Sequence, residues 1–238
     1  MIISARPAGG ASTAVVILAA GSGSRAGQGA NKALMDLAGR PMLAWSLDTV
    51  AGLDAVATIV LVVRAGEHRA VRAAVPEPWP GPPLHLVDGG ASRHASETAA
   101  LSALAPLIEA GRVDVVAIHD AARPVAGAPL WRSVIEQARR CGGALPVVAV
   151  AGLVGRDPAQ PEPDGELRAV QTPQAFAATA LLAAYRAAGA QGFDGTDTAA
   201  CVQRFTDVAV RAVPGASTNI KVTYPGDLAV AARLLTSR

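Results

Sequence analysis

Short apolar runs alternate along the chain with stretches whose apolar positions recur at helical spacing. Val15–Ala20 (VVILAA), Thr58–Val63 (TIVLVV), Leu84–Val87, Val113–Ile118 and Ala144–Val150 are continuous and apolar, as strands buried on both faces are. Pro41–Val50, Glu67–Val75, Ser92–Ile108 and Pro129–Arg140 read as the helices between them, the first with Pro in its opening turn. Helices are then expected near Thr179–Ala188 and Thr196–Arg204, strands at Asp207–Val213 and Asn219–Val222, and a last helix after Pro225. Repeated β-α units with short loops predict an α/β fold: a Rossmann-like, mostly parallel sheet with helices on both faces.

Ala151–Ala169 breaks this rhythm. It is polar, rich in Gly and Pro, and too long for a plain connection. It predicts a hairpin or β-arm that projects from the domain and could reach a partner subunit, with a disordered surface loop as the alternative. No internal repeat is visible, and 1–238 reads as a single domain.

Composition narrows the function classes. The chain is 51% hydrophobic but only 3% aromatic, so Ala, Val and Leu must fill its core. Net charge is +2, and no Lys/Arg run is long enough to track a phosphate backbone. A nucleic-acid partner is not expected. No apolar run reaches membrane-spanning length without Gly or charge, so no membrane partner is expected. Met1 to Thr13 lacks the apolar stretch of a signal peptide. Cys141 and Cys201 lie far apart and read as two reduced core thiols of a cytoplasmic protein. The four histidines show no metal-ligand spacing. Of 21 basic residues only two, Lys32 and Lys221, are lysine. In so Arg-biased a chain they read as places where a compact ammonium serves and a planar guanidinium does not, with chance survival as the alternative.

The segment from Leu18 through Ala19, Ala20, Gly21 and Gly23 to Arg25 follows the first strand directly, where ligands bind in open α/β sheets. Its glycines let main-chain amides turn inward and form a nest for phosphate oxygens, and Arg25 and Lys32 add two cations. A Rossmann dinucleotide loop would need an acid about 20 residues on, at the end of the second strand, and that strand ends too late. A Walker A loop would need Gly-Lys-Ser/Thr, and Asn31-Lys32-Ala33 does not supply it. A loop that wraps a nucleoside triphosphate fits the length and the charges, with a purely structural turn as the bland alternative.

LAAGSGSR followed by NKALMDLAGRPML resembles the sugar-phosphate nucleotidyltransferases. Gly89–Ser96 then fits GGxxRxxS, and His119–Pro124 reads HDAARP. Gln171-Thr172-Pro173-Gln174, Thr196-Asp197 and Asn219–Thr223 (NIKVT) follow in order. Together they resemble the 2-C-methyl-D-erythritol 4-phosphate cytidylyltransferase family of the non-mevalonate isoprenoid pathway, over nearly the whole chain. The resemblance implies transfer of CMP from CTP to a polyol phosphate by a homodimer using Mg²⁺. In it Arg25, Lys32 and Lys221 are catalytic. Ala19, Ala20, Gly21, Gly23, Gly90, Arg93 and Ser96 bind the nucleotide, Arg93 being either a wall of the base pocket or an ordinary solvated helix residue. Asp120, Ala121, Arg123, Thr196 and Lys221 meet the acceptor, and Asp120 also holds the metal, unless it is merely a turn or helix-cap residue.

Two departures fall in the acceptor region. The family's Asp-Thr after the fifth strand is replaced by Gly152-Leu153, and its arm arginine by Asp164, with Arg156 and Arg168 as alternative cations. An anion in place of a cation reverses an interaction of roughly 1–4 kcal/mol at surface-like dielectric. Ribitol or ribulose phosphate is therefore a second acceptor class, and a nucleotide-binding paralogue without catalysis a third reading.

Overall fold

The computed structural model describes residues 3–5, 12–21, 31–150 and 166–237. Gly23 and Arg25 lie outside these residues, as do Gly152, Leu153, Arg156 and Asp164. The elements run β1 Thr13–Leu18, a 3₁₀ turn at Lys32–Leu34, β2 Asp36–Leu37, β3 Arg40–Pro41, α1 Met42–Ala51, β4 Val56–Val63 and α2 His68–Ala74. They continue with β5 Leu84–Asp88, α3 Arg93–Glu109, β6 Val115–Asp120, α4 Ala128–Cys141, β7 Gly142–Ala149 and β8 Arg168–Val170. β9 Gln174–Ala177, α5 Ala178–Ala190, α6 Thr198–Phe205, β10 Ala209–Pro214 and α7 Pro225–Thr236 complete the order.

One sheet runs β10-β7-β9-β6-β1-β4-β5, with β8 added along β7. β1, β4, β5 and β6 are mutually parallel, and β7 pairs parallel with β10. The expected α/β architecture is therefore present, with two reversed strands: β9 lies antiparallel between β6 and β7, and β8 runs antiparallel along β7. The hydrophobic pattern explains the layering. In β1, Ala14 and Val16 pack with Leu104, Leu181 and Val202 on one face. Val15 and Ile17 pack with Leu43, Leu47 and Trp131 on the other. Alternate residues of a strand point to opposite faces, so a strand apolar at every position needs cover on both sides.

Three expectations need correction. Asn219–Val222 is not a strand. Its backbone groups go singly to Arg123, Gln171 and Ala122, with no neighbouring ladder. β9 was not anticipated, because four residues after a proline carry little strand pattern. Cys141 is only half-buried, although both cysteines are free. The small β2–β3 hairpin was also unforeseen; Ala38 and Gly39, both at positive φ, turn it. Of the anticipated arm, 166–169 is described. There β8 pairs antiparallel with the end of β7, Val147 opposite Val170, which is the base of a hairpin.

Candidate active site

The carboxyl ends of β1, β4, β5 and β6 share one rim. Because β9 is reversed, the segment that enters it arrives at the same rim. There Ala19 is buried, and its N–H donates to the Val62 carbonyl at 2.8 Å. Asn31 closes the far end of the Gly-rich segment. Its Nδ2 donates to the Ala19 carbonyl at 2.8 Å and to Glu67 Oε2 at 2.5 Å. Arg64 donates to the Gly21 carbonyl at 3.2 Å and pairs with Glu67 at 3.3 Å. Asn31, Arg64 and Glu67 thus pin both described ends of the loop, a duty that sequence reasoning missed. Asn31 stands next to Lys32 in the motif, which was the available signal.

Gly89 and Gly90 follow β5, where the main chain passes close to β1 and α3. A Cβ on Gly89 would stand 2.5 Å from the Cβ of Ala20, and one on Gly90 2.4 Å from the Cβ of Ala95. The Ser96 hydroxyl accepts from the Gly90 N–H at 3.2 Å and donates to the Ser92 carbonyl at 2.9 Å. Ala20, Gly90 and Ser96 therefore meet around one turn, and Ser96 holds its shape. Gly90→Ala should cost about 1–3 kcal/mol through overpacking. In a chain of this size that is roughly 2–4 °C of Tm per kcal/mol. Calorimetry checks it: an unchanged Tm would mean that the turn yields freely.

Arg93, first residue of α3, is not the solvated side chain offered as one alternative. Its Nη1 donates to Glu97 Oε1 at 2.6 Å and to Thr198 Oγ1 at 3.0 Å, and its Nε faces Asp120 Oδ1 at 3.4 Å. Asp120, at the end of β6, also receives Lys221 Nζ at 2.6 Å on Oδ2. Burial raises the Asp120 pKa, but Arg93 and Lys221 outweigh it and bring it down to about 2. The carboxylate is ionised at neutral pH.

The three late motifs interlock beneath it. Asp120 N–H donates to Thr172 Oγ1 at 3.1 Å, and Thr172 Oγ1 lies 3.0 Å from His119 Nδ1. His119 Nε2 is 3.2 Å from the Arg123 carbonyl, which can only accept, so this nitrogen carries the proton. Burial holds the imidazole down to about 4, hence neutral. Ala121 N–H donates to the Leu18 carbonyl at 3.0 Å, tying the HDAARP turn to β1. Arg123 donates to the Asn219 carbonyl at 2.8 Å and to Val170 at 3.4 Å. Asn219 Nδ2 donates to the Thr172 carbonyl at 2.9 Å. Lys32 Nζ donates to the Thr223 carbonyl at 2.8 Å. Both lysines of the chain therefore converge on 221–223. Thr196 is exposed, just ahead of Asp197, whose carboxylate caps α6. Gln171, Thr172 and Asn219 were quoted in motifs but not singled out as site residues.

Among the described residues no three His, Cys, Asp or Glu side chains form a metal-holding group. Asp120 offers an ionised, part-buried oxygen donor at this rim. That is compatible with Mg²⁺, which commonly takes one or two carboxylates and completes its shell with substrate phosphates and water.

Known proteins resemble this chain over most of its length. The family profile for IspD, 2-C-methyl-D-erythritol 4-phosphate cytidylyltransferase, matches residues 13–237. A 2-C-methyl-D-erythritol 4-phosphate cytidylyltransferase of Cereibacter sphaeroides is 40% identical over 228 residues, 94% of this chain and 96% of the relative. One of Solibacter usitatus is 36% identical over 233 residues, 92% of this chain and 93% of the relative. The solved 4-diphosphocytidyl-2C-methyl-D-erythritol synthase of Anaerococcus prevotii superposes with TM-score 0.80 at 27% identity, covering 95% of this chain and 99% of that one. The cytidylyltransferase structure from Thermus thermophilus gives 0.71 at 31% identity, covering 94% and 99%. With the motifs in order, the fold matched and the profile spanning nearly its full length, this chain belongs to the IspD family of nucleotidyltransferases, the 2-C-methyl-D-erythritol 4-phosphate cytidylyltransferases.

Proposed function

We propose that this chain transfers CMP from CTP to 2-C-methyl-D-erythritol 4-phosphate and releases pyrophosphate. The observation that carries the reading is the ionised Asp120 between Arg93 and Lys221, with Lys32 bound to the same 221–223 segment. An oxygen of the acceptor phosphate attacks the α-phosphorus of CTP. That P–O bond forms as the bond from the α-phosphorus to the α,β-bridging oxygen breaks, and pyrophosphate leaves. Little covalent chemistry falls to the protein, so positioning and charge compensation dominate. Lys32, and Arg25 with it, hold the triphosphate and compensate charge that grows on the α-phosphate. Lys221, Arg123, Ala121 and Thr196 receive the acceptor. Ala19, Ala20, Gly21, Gly23, Gly90, Arg93 and Ser96 surround the nucleotide. Mg²⁺ held by Asp120 would neutralise triphosphate charge and favour departure of pyrophosphate.

The reading takes 1–238 as one catalytic domain, which the single large sheet supports. It also takes the enzyme as a cytoplasmic homodimer. Free Cys141 and Cys201 and the lack, among the described residues, of a helix able to cross a membrane favour the first part. Exposed Leu167 and Val170 at the base of the arm favour the second. Arg168, the described alternative to the missing arm cation, pairs with Glu166 at 2.6 Å.

The test is pyrophosphate release with CTP, Mg²⁺ and a panel of 2-C-methyl-D-erythritol 4-phosphate, ribitol 5-phosphate and ribulose 5-phosphate. The first should turn over fastest. Faster turnover of another member would reassign the acceptor. CTP binding with no turnover of any would make this a non-catalytic relative.

A further inference from the structure

Glu97 is fully buried in α3, one turn beyond Arg93. A carboxylate there is costly unless donors surround it. Three do: Arg93 Nη1 at 2.6 Å, Thr198 Oγ1 at 2.5 Å and Tyr185 OH at 2.5 Å. They come from α3, α6 and α5. Burial raises the Glu97 pKa on balance, against the lowering by Arg93, Thr198 and Tyr185. Tyr185 is pushed up by burial and by this carboxylate, so its phenol stays protonated and keeps donating. An apolar side chain would fill this place without any desolvation cost, so stability alone does not account for an acid.

The four charges Glu97, Arg93, Asp120 and Lys221 alternate in sign and run from the core to the rim. We propose that Glu97 is a positioning residue: it holds one arm of Arg93 in the core, so that Nε faces Asp120, and ties that pair to the Thr196–Thr198 segment. Arg93 must answer two carboxylates. With Glu97 in place it bonds Glu97 closely, at 2.6 Å, and Asp120 loosely, at 3.4 Å. Asp120 therefore remains available to partners at the rim. Without Glu97, Arg93 either closes onto Asp120 or swings free. Either movement disturbs the nucleotide side, where Arg93 stands, and reaches the acceptor side through Thr198, which shares both the Arg93 and Glu97 contacts. This inference rests on the transferase reading above.

The experiment compares Glu97→Gln with the parent enzyme and with Tyr185→Phe, which removes one donor but leaves the carboxylate. Glu97→Gln should raise the KM of CTP, which Arg93 borders, or that of the acceptor, or lower kcat, together by about tenfold or more. Tyr185→Phe should leave both near the parent values. Glu97→Met, unbranched and apolar, serves if the glutamine variant does not fold. A substrate-free readout runs beside the kinetics: arginine side-chain NMR, with Arg93 assigned by Arg93→Lys. The parent should show hindered rotation of the Arg93 guanidinium, and the Glu97 variants should lose it. Unchanged kinetics for both substrates, or equal losses in the Tyr185→Phe variant, would overturn the proposal. If the parent turns over no polyol phosphate, the transferase reading fails by itself, and hindered rotation surviving in the Glu97 variants overturns this one.

Discussion

Lys32→Ala will lower turnover by about 10²–10³-fold, the usual cost of removing one preorganised charge from a developing anion. The fold will survive. Lys32 lies in the first 3₁₀ turn after the loop, and Asn31, whose side chain accepts from the Ala33 N–H, fixes that turn independently. One structural contact that disappears is the bond from Nζ to the Thr223 carbonyl. A hydrogen bond of this kind is worth about 1 kcal/mol, or roughly 2–4 °C of Tm at this chain length. Lys32→Arg should recover only part of the turnover, because a planar fork does not replace a compact ammonium. Steady-state pyrophosphate release together with thermal melting checks both halves. Near-normal turnover in the alanine variant would remove Lys32 from the catalytic set.

Asp120→Asn should cost at least about 10²-fold in kcat/KM. The amide keeps the shape but removes the anion that faces Lys221 and Arg93 and that would hold Mg²⁺. A pH signature accompanies it. The Asp120 pKa is depressed from 3.8 to about 2 in the folded protein. A depressed acid contributes stability above its unfolded value and loses it as pH falls through the folded one. The contribution, about 2 kcal/mol, should therefore be complete above pH 4 and disappear between pH 4 and about 2. Urea melts of the parent and of Asp120→Asn should converge over that window. A constant gap between the two curves would show that the carboxylate is not held down by its neighbours.

How much of this could be read from the chain depended on how local the physics was. β1, β4 and β6 declare themselves, because strands covered on both faces must be apolar at every position. Asp120 and Lys221 were legible from motif order, and the scarcity of lysine added an independent reason. They lie 101 residues apart, yet Lys221 Nζ reaches the Asp120 carboxylate at 2.6 Å. β9 was not legible, since four residues held between two longer strands need no pattern of their own. Glu97 was less legible still. In a helical pattern an acid next to the apolar face reads as a solvated edge. Only the packing of α5 and α6 against α3 brings Tyr185 and Thr198 onto it. Asn31, Arg64 and Glu67 were missed as well: Asn31 and Arg64 reach main-chain carbonyls that no side-chain pattern announces, and Glu67 meets those two only in the fold.

The reversal of β9 has a mechanical consequence. Running against its neighbours, it obliges the polypeptide to come back from β8 through Gln171 and Thr172 directly over the end of β6. Val170 and Asn219 are both gripped by Arg123, and Thr172 steadies the main chain of Asp120. The hairpin base and the reacting rim are therefore one continuous piece of scaffolding. A pull transmitted along β8 is felt at Arg123 within a single residue, so the hairpin base and the rim share the same foundations.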